Sequence, residues 1–128
     1  MYTYTVTIGR NVGTTPMPER DWAAFQRQVE YALSESLGWG EPYPERHAGV
    51  GVWDGVTEES FKVTAFTNYP ADPYFVSLLR DRLAVLASDY NQKAITLTLG
   101  ESELITPRKH GIPNIGGIGA TVGEGVTA

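Results

Sequence analysis

The first residues of the chain alternate between apolar and polar side chains. Over residues 2–8, tyrosine, valine and isoleucine occupy one side and threonine the other, which is typical of a half-buried β-strand. The same alternation returns over residues 61–67 and 94–99, and a short apolar run over residues 50–53 ends at an Asp-Gly turn signal. These patterns predict four strands.

Two longer segments repeat their apolar side chains at three- and four-residue steps. The first, over residues 18–38, carries Trp22 and Phe25 on one stripe and acidic residues in its first turn, which predicts a helix with one buried side. The second follows Asp72, a residue suited to cap a helix, and a proline at the first helical position. Its apolar stripe begins at Phe75, so a second buried helix is expected.

The order of these elements is strand, helix, strand, strand, helix, strand. Two such crossover units in one sheet predict an α+β, ferredoxin-like βαββαβ fold, with a four-stranded antiparallel sheet and both helices on one face. Right-handed crossovers place the first and third strands in the centre. Residues 1–106 are expected to form this domain. Residues 107–128 form a glycine-rich tail, whose composition cannot build a core by itself but could pack against a neighbouring subunit.

The sheet face that no helix covers carries Trp53, Lys62 and Phe66 among many threonines. Exposed aromatic patches often mark contacts between proteins, so these three residues are predicted to lie at the interface of a homo-oligomer, with a dimer as the expected form. The alternative is a solvated face whose threonines reflect strand propensity. A second copy of the chain is thus the first partner that the sequence predicts.

The connection over residues 38–48 lacks periodicity and combines prolines and glycines with aromatic and charged side chains. Trp39 and Tyr43 offer flat apolar area. Arg46 can bind a carboxylate or phosphate, and His47 titrates near neutral pH. These four residues are therefore predicted to bind a ligand or a host or phage protein. In the alternative interpretation, the aromatic side chains cover the end of the sheet and the charges only keep the loop hydrated.

The composition excludes several kinds of chemistry. The 128 residues include no cysteine, which rules out thiol catalysis, iron–sulfur clusters and cysteine-based zinc sites. A formal net charge of −5 disfavours nucleic-acid binding, since nucleic-acid-binding proteins present a basic face. No nucleophile, metal or nucleotide-loop motif is recognisable, so no catalytic residue, metal or cofactor is predicted. Neither a signal peptide nor a membrane-spanning segment is evident, and a cytoplasmic protein is expected.

Three short motifs resemble those of small actinobacteriophage proteins: Gly9-Arg10-Asn11, the helix entry from Met17 to Phe25, and Gly51-Val52-Trp53-Asp54-Gly55. The segments over residues 59–63 and 90–95 are similar to a bacterial domain-of-unknown-function family with the same order of elements. The resemblance extends over residues 2–105 and leaves out the tail. It implies a phage or actinobacterial setting and supplies no catalytic residues.

These observations predict a non-enzymatic, homo-oligomeric interaction protein, with a phage accessory protein that engages a host or defence component as the leading interpretation. The alternative is a virion assembly or capsid- or tail-associated structural protein, which would place the chain in the virion. A third interpretation is a small dimeric enzyme of the α+β barrel kind, in which two sheets enclose a substrate pocket. For that enzyme, only Lys62 offers a titratable group on the open face.

Overall fold

The computed structural model describes residues 2–37, 45–53, 55–67 and 72–109. Most of the predicted tail lies outside these residues. The secondary-structure elements are, in chain order, β1 (Tyr2–Gly9), β2 (Asn11–Val12), β3 (Thr15–Pro16), α1 (Glu19–Leu37), β4 (Glu45–Trp53), β5 (Val56–Thr67), α2 (Pro73–Asp89), β6 (Ile95–Leu99) and β7 (Glu101–Ile105). The short strands β2 and β3 pair only with each other and form a hairpin between β1 and α1.

The other five strands form one antiparallel sheet in the order β4-β5-β1-β6-β7. β1 lies at its centre, where Val6 pairs with Val63 of β5 on one side and with Leu97 of β6 on the other. The predicted ferredoxin-like arrangement is confirmed, with the first and third of its four strands inside. This sheet has one strand more than the four predicted, and β2 and β3 form a second, two-stranded sheet beside it. Gly100, with φ at 95°, reverses the chain after β6 and lets β7 pair along it.

Both helices pack on the same face of this sheet and against each other. The stripe that predicted α1 is buried, and it includes Trp22 and the fully enclosed Phe25. β1 supplies Tyr4, Val6 and Ile8 to the same core, as its alternation predicts. Neither of these two described helices combines the length and the apolar character needed to cross a membrane.

The start of α2 follows its sequence signals, with one exception. The Asp72 carboxylate accepts a hydrogen bond of 2.8 Å from the backbone N–H of Tyr74, and Pro73 occupies the first helical turn. Phe75, predicted to begin the buried stripe, is instead 45% exposed. It lies in the first turn of α2, where its ring contacts the Tyr74 ring edge-on with centroids 5.4 Å apart.

The β4–β5 hairpin is longer than the sequence predicts. The segment expected to be a loop up to residue 48 contains the first part of β4, which begins at Glu45, and β5 begins at Val56 rather than at residue 61. Ser60 is the last β5 residue that pairs with β1, so the hairpin extends past the sheet. Val50 and Val52 on this extension are each 70% exposed. Because little of this region is buried, no burial pattern marks its strands in the sequence.

The uncovered face of the sheet is lined with half-buried threonines. Thr5 of β1 lies opposite Thr64 of β5, and their hydroxyls hydrogen bond at 3.0 Å. Thr98 of β6 pairs with Thr5 from the other side. Cross-strand pairs of this kind contribute about 0.2–1 kcal/mol each. These threonines therefore stabilise the sheet whether or not another molecule covers the face.

Candidate functional site

A cavity of about 460 Å³ opens at the end of the molecule where α1 begins and α2 ends. Its size falls in the range of small-molecule sites. The β2–β3 hairpin, the first turn of α1 and the residues that follow α2 surround it. The lining residues are Val12, Thr15, Pro16, Met17, Pro18, Asp21, Asp89, Tyr90 and Asn91.

Arg10 fixes the hairpin that forms one wall of the cavity. Its backbone N–H donates to the Glu59 carbonyl at 3.0 Å, and its guanidinium reaches the Glu59 carboxylate at 2.8 Å. Its Nε donates to the Met17 carbonyl at 2.8 Å, while the Met17 N–H donates back to the Arg10 carbonyl at 3.0 Å. The Arg10 side chain is only 16% exposed and its bond to the Met17 carbonyl is partly buried, whereas the Glu59 carboxylate is 58% exposed. Arg10 thus joins β5, the hairpin and the approach to α1.

Asn11 and Gln92 tie this wall to the opposite one. The Asn11 N–H donates to the Glu58 carboxylate at 3.2 Å, and the Asn11 carbonyl accepts from the buried Gln92 side-chain amide at 3.1 Å. The same amide donates to the Tyr90 carbonyl at 3.2 Å. Between them, Asn91 adopts a left-handed backbone with φ at 55°, which asparagine tolerates better than most residues. The cavity therefore has walls that are hydrogen bonded to each other.

Tyr90 lines the cavity with an aromatic ring held by the core. The ring stacks on Phe25 with centroids 4.5 Å apart and planes 13° apart, and Phe25 in turn meets Trp22 edge-on at 6.2 Å. Burial raises the pKa of the Tyr90 hydroxyl, and the negative charges of Asp89 and Asp21 raise the pKa further, against a smaller opposing effect of Arg27. The hydroxyl is consequently protonated at neutral pH and can both donate and accept a hydrogen bond.

The charge of the cavity is one-sided. Of its lining residues, all within the described part of the chain, Asp21 and Asp89 are acidic and none is basic. Such a surface attracts a cationic group, and Tyr90 with the neighbouring prolines and Met17 offers apolar contact. Within the described residues no group of three histidine or acidic side chains is placed to hold a metal ion. The arrangement thus fits an organic cation with an apolar or aromatic body.

The ligand-binding residues that the sequence predicts lie elsewhere. Trp39 and Tyr43 are outside the described residues. Arg46 and His47 lie on β4 rather than in a loop, and as neighbours on a strand they point to opposite faces. The Arg46 guanidinium binds the carboxylate of Glu30 in α1, and His47 Nε2 lies 3.5 Å from the Glu45 carboxylate. The structure therefore does not bring Arg46 and His47 to a common site, and the joint site with the two aromatic residues stays a prediction.

The predicted interface residues are spread along β5. Lys62 is exposed and lies opposite Thr7, and Phe66 is half-buried opposite Thr3. Trp53 pairs through its backbone with Val56, at the other end of β5 from Phe66. Ten residues of extended chain correspond to roughly 33 Å. An interface that includes all three residues would extend along the whole strand, and it stays a prediction.

Sequence reasoning missed the residues that line the cavity. In the sequence, Asp21 is one of the acidic residues in the first turn of the first predicted helix, and Tyr90 is the last residue of the apolar stripe of the second. The useful signal was the pair of motifs that contain Asn11 and Gln92, since a hydrogen bond joins the two and closes the cavity. A single sequence gives no indication that these two motifs are in contact in the folded protein.

Comparison with known proteins identifies relatives in fold. No protein-family model and no curated protein matches the chain. Among solved structures, a phage SAM lyase in complex with S-methyl-5'-thioadenosine is 17% identical, with a TM-score of 0.60 over 82% of this chain and 88% of that chain. A phage SAM lyase in its apo state is 18% identical, with a TM-score of 0.60 over 85% of this chain and 91% of that chain. This chain therefore shares its α+β fold with a phage enzyme.

These neighbours correct the functional prediction made from the sequence. Both are forms of an enzyme, which contradicts the prediction of a non-enzymatic interaction protein that engages a host or defence component. The alternatives, a virion structural protein and a dimeric α+β barrel enzyme, have no counterpart in them either. The prediction depended on the absence of nucleophile, metal-ligand and phosphate-loop motifs, and such an absence does not exclude an enzyme.

Proposed function

We propose that this chain is an enzyme that cleaves S-adenosylmethionine by a lyase reaction and releases S-methyl-5'-thioadenosine. The observation that carries the proposal is the match of the whole fold to a phage SAM lyase, over more than four-fifths of each chain. The cavity supports it independently, because an acidic, partly aromatic cavity suits a substrate with a permanent positive charge.

The reaction breaks the bond between the sulfonium sulfur and the γ-carbon of the amino-acid portion. The bonding electron pair goes to sulfur, which becomes a neutral thioether. In a lyase the γ-carbon is not attacked by water. Either an oxygen of the substrate's own carboxylate forms the new bond to carbon, which gives a lactone, or a proton leaves the β-carbon to a base, which gives an alkene. Because the departing thioether is neutral, it needs no proton from the protein.

The bonds that break and form in this reaction determine what the protein has to supply. In the lactone route, which needs no base, it must hold the substrate with its γ-carbon accessible, keep water from that carbon, and tolerate the loss of positive charge at sulfur. The walls tied by Arg10 and Gln92 supply a fixed shape, and the Tyr90 ring supplies a flat apolar surface. None of these tasks requires a side-chain nucleophile.

The test is direct incubation of the purified protein with S-adenosylmethionine, followed by chromatography and mass spectrometry. We expect S-methyl-5'-thioadenosine together with an amino-acid fragment that is lighter by one water than the hydrolysis product at early times. In ¹⁸O-labelled water, that early fragment should carry no label. S-adenosylhomocysteine, which lacks the sulfonium charge, is the matched control and should stay intact. The proposal would be refuted if the folded protein did not accelerate the decay of S-adenosylmethionine above its uncatalysed rate. If the early fragment carried the ¹⁸O label, the enzyme would be a hydrolase rather than a lyase.

A further inference from the structure

We infer that β4 is an edge strand that opens from the sheet while β1, β5, β6 and both helices stay folded, and that the ion pair between Arg46 and Glu30 restrains this opening. The inference concerns the fold alone and does not depend on the proposed reaction. In the opened state β5 becomes the edge of the sheet, and its backbone N–H and carbonyl groups on that side are free to pair with another strand.

β4 is held to the molecule mainly through its backbone. Its register with β5 is unbroken from Glu45 opposite Thr64 to Trp53 opposite Val56, and β5 is its one neighbour among the described strands. The residues from Glu45 to Val50 are all exposed, and no described side chain of β4 belongs to the hydrophobic core. Opening therefore breaks backbone hydrogen bonds that water can replace, and it removes little apolar area of β4 from a buried environment.

The sequence of β4 also lowers its stability as a strand. Gly49 and Gly51 occupy alternate positions within it, and a glycine inside a strand supplies no side chain for packing. The fold does not require glycine at residue 51, because an added Cβ there would lie 3.8 Å from the Ser60 Cβ, an ordinary contact distance. Alanine at this position should therefore strengthen the strand.

One side-chain interaction restrains β4. The Arg46 guanidinium binds the carboxylate of Glu30 in α1, and among the described residues this is the one side-chain hydrogen bond or ion pair that joins β4 to another element. The Arg46 side chain is 58% exposed and the Glu30 side chain 21%. Because solvent screens a pair of this exposure, it slows the opening of β4 without preventing it.

The other edge strand, β7, is held in a different way. Ile105 of β7 lies in the hydrophobic core, and the Arg80 guanidinium of α2 donates to the Glu103 carboxylate of β7 at 3.0 and 2.9 Å. Just after β7, the Arg108 N–H donates to the Ala84 carbonyl of α2 at 2.9 Å. Position at the edge of the sheet is thus not sufficient for opening, and β4 differs from β7 in its lack of buried side chains.

The part that opens ends within the β4–β5 hairpin. The Asn11 N–H donates to the Glu58 carboxylate at 3.2 Å, and the Arg10 guanidinium donates to the Glu59 carboxylate at 2.8 Å. From the next residue to Thr67, β5 pairs with β1. The opened segment therefore consists of β4 and the two residues of β5 that precede Glu58.

Native-state hydrogen–deuterium exchange of the full chain, measured by mass spectrometry of peptides, tests the inference. We expect the amides of β4 to be less protected than those of β1 by at least about tenfold, because they exchange through a local opening. Their protection should change little with urea below the unfolding transition, since a local opening exposes little surface. The protection of β1 and β6 should fall steeply with urea, as expected for global unfolding.

Three variants test the cause. Arg46→Gln should accelerate exchange in β4 by about two- to fivefold, and Gly51→Ala should slow it by about two- to fivefold. Neither change should alter the exchange of β6. The matched control is Arg80→Gln, which removes the same charge and breaks an ion pair at the opposite edge of the sheet, and it should leave β4 unchanged. Thermal melting of each variant checks that the fold is retained.

The inference would be overturned if β4 in the wild type had the same protection and the same dependence on urea as β1. Acceleration of exchange across all strands in Arg46→Gln would mean that the ion pair supports the whole fold, and no acceleration in β4 would mean that it does not restrain the strand. Equal acceleration of β4 in Arg80→Gln would assign the effect to net charge. Each of these results contradicts the inference.

Discussion

Replacement of Phe25 by alanine tests two points: whether the apolar stripe of α1 belongs to the hydrophobic core, and whether it supports the wall of the cavity. Phe25 has no exposed surface, stacks on Tyr90 at 4.5 Å and meets Trp22 edge-on at 6.2 Å. Loss of a buried phenylalanine costs about 3–5 kcal/mol through lost burial and the cavity left behind. Each aromatic contact adds about 0.5–1.5 kcal/mol beyond burial. We therefore expect Phe25→Ala to lower the free energy of unfolding by about 4–5 kcal/mol. Urea unfolding monitored by tryptophan fluorescence measures this change.

A milder variant keeps this prediction measurable if Phe25→Ala does not fold. Phe25→Leu retains most of the volume and loses the stacking on Tyr90, so we expect a loss of about 1–2 kcal/mol. Leu33→Ala is the matched control, because Leu33 is equally buried on α1 but has no ring contact with Tyr90. Both Phe25 variants should weaken ligand binding in the cavity, and Leu33→Ala should not. A stability change below about 1 kcal/mol for Phe25→Ala would refute the packing described here.

Three further predictions concern the hairpin, the cavity and the open face. In Gly9→Ala the new methyl group would meet the Glu58 carboxylate, so we expect the free energy of unfolding to fall by about 1 kcal/mol. This loss should disappear when Glu58 is also replaced by alanine, and additive losses in the double-mutant cycle would contradict the prediction. Because the pKa of Tyr90 in the folded protein is raised above its ordinary value of 10.0, its contribution to stability is complete below pH 10.0 and is lost as the pH rises from there through the raised pKa. Tyr90→Phe should therefore flatten the decline in melting temperature above about pH 10, and an unchanged decline would contradict the prediction. The predicted homo-oligomer should dissociate in the Trp53→Ser, Phe66→Ser double variant, and sedimentation of the wild type as a monomer at micromolar concentration would exclude it.

The parts of the fold that the sequence predicts are those with one buried and one exposed face. β1 and α1 show clear periods of two and of three to four residues because burial of Val6 and Phe25 imposes them. β4 has no such constraint. Its residues from Glu45 to Val50 are all exposed, and its pairing with β5 rests on backbone hydrogen bonds, which any residue except proline can supply. β7 depends on the turn at Gly100, and a glycine there is equally compatible with the end of the domain.

The cavity could not be predicted because its walls are joined only by the fold. The hairpin after β1 and the turn after α2 are separated by most of the chain, and the hydrogen bond from Gln92 to Asn11 links residues 81 positions apart. Each motif was visible in the sequence, but as a local feature. The sheet order puts the start of α1 and the end of α2 at the same end of the molecule, and no pattern within either helix contains that information.

The chemistry proposed for the cavity also explains why a search for catalytic motifs fails on this chain. Motifs are recognisable where the protein must create a reactive group, since a nucleophile needs a base beside it and a metal needs several ligands at fixed spacing. A sulfonium substrate brings its own activated leaving group, and its own carboxylate can serve as the nucleophile. The protein then has to provide two things: a cavity of fixed shape, and negative charge in its lining. Within the proposed function, Arg10, Gln92 and Phe25 serve the first requirement because they hold the walls of the cavity in place, and the acidic lining residues serve the second. Residues in such roles are ordinary helix, turn and core residues, so their function is evident only from the positions that the fold gives them.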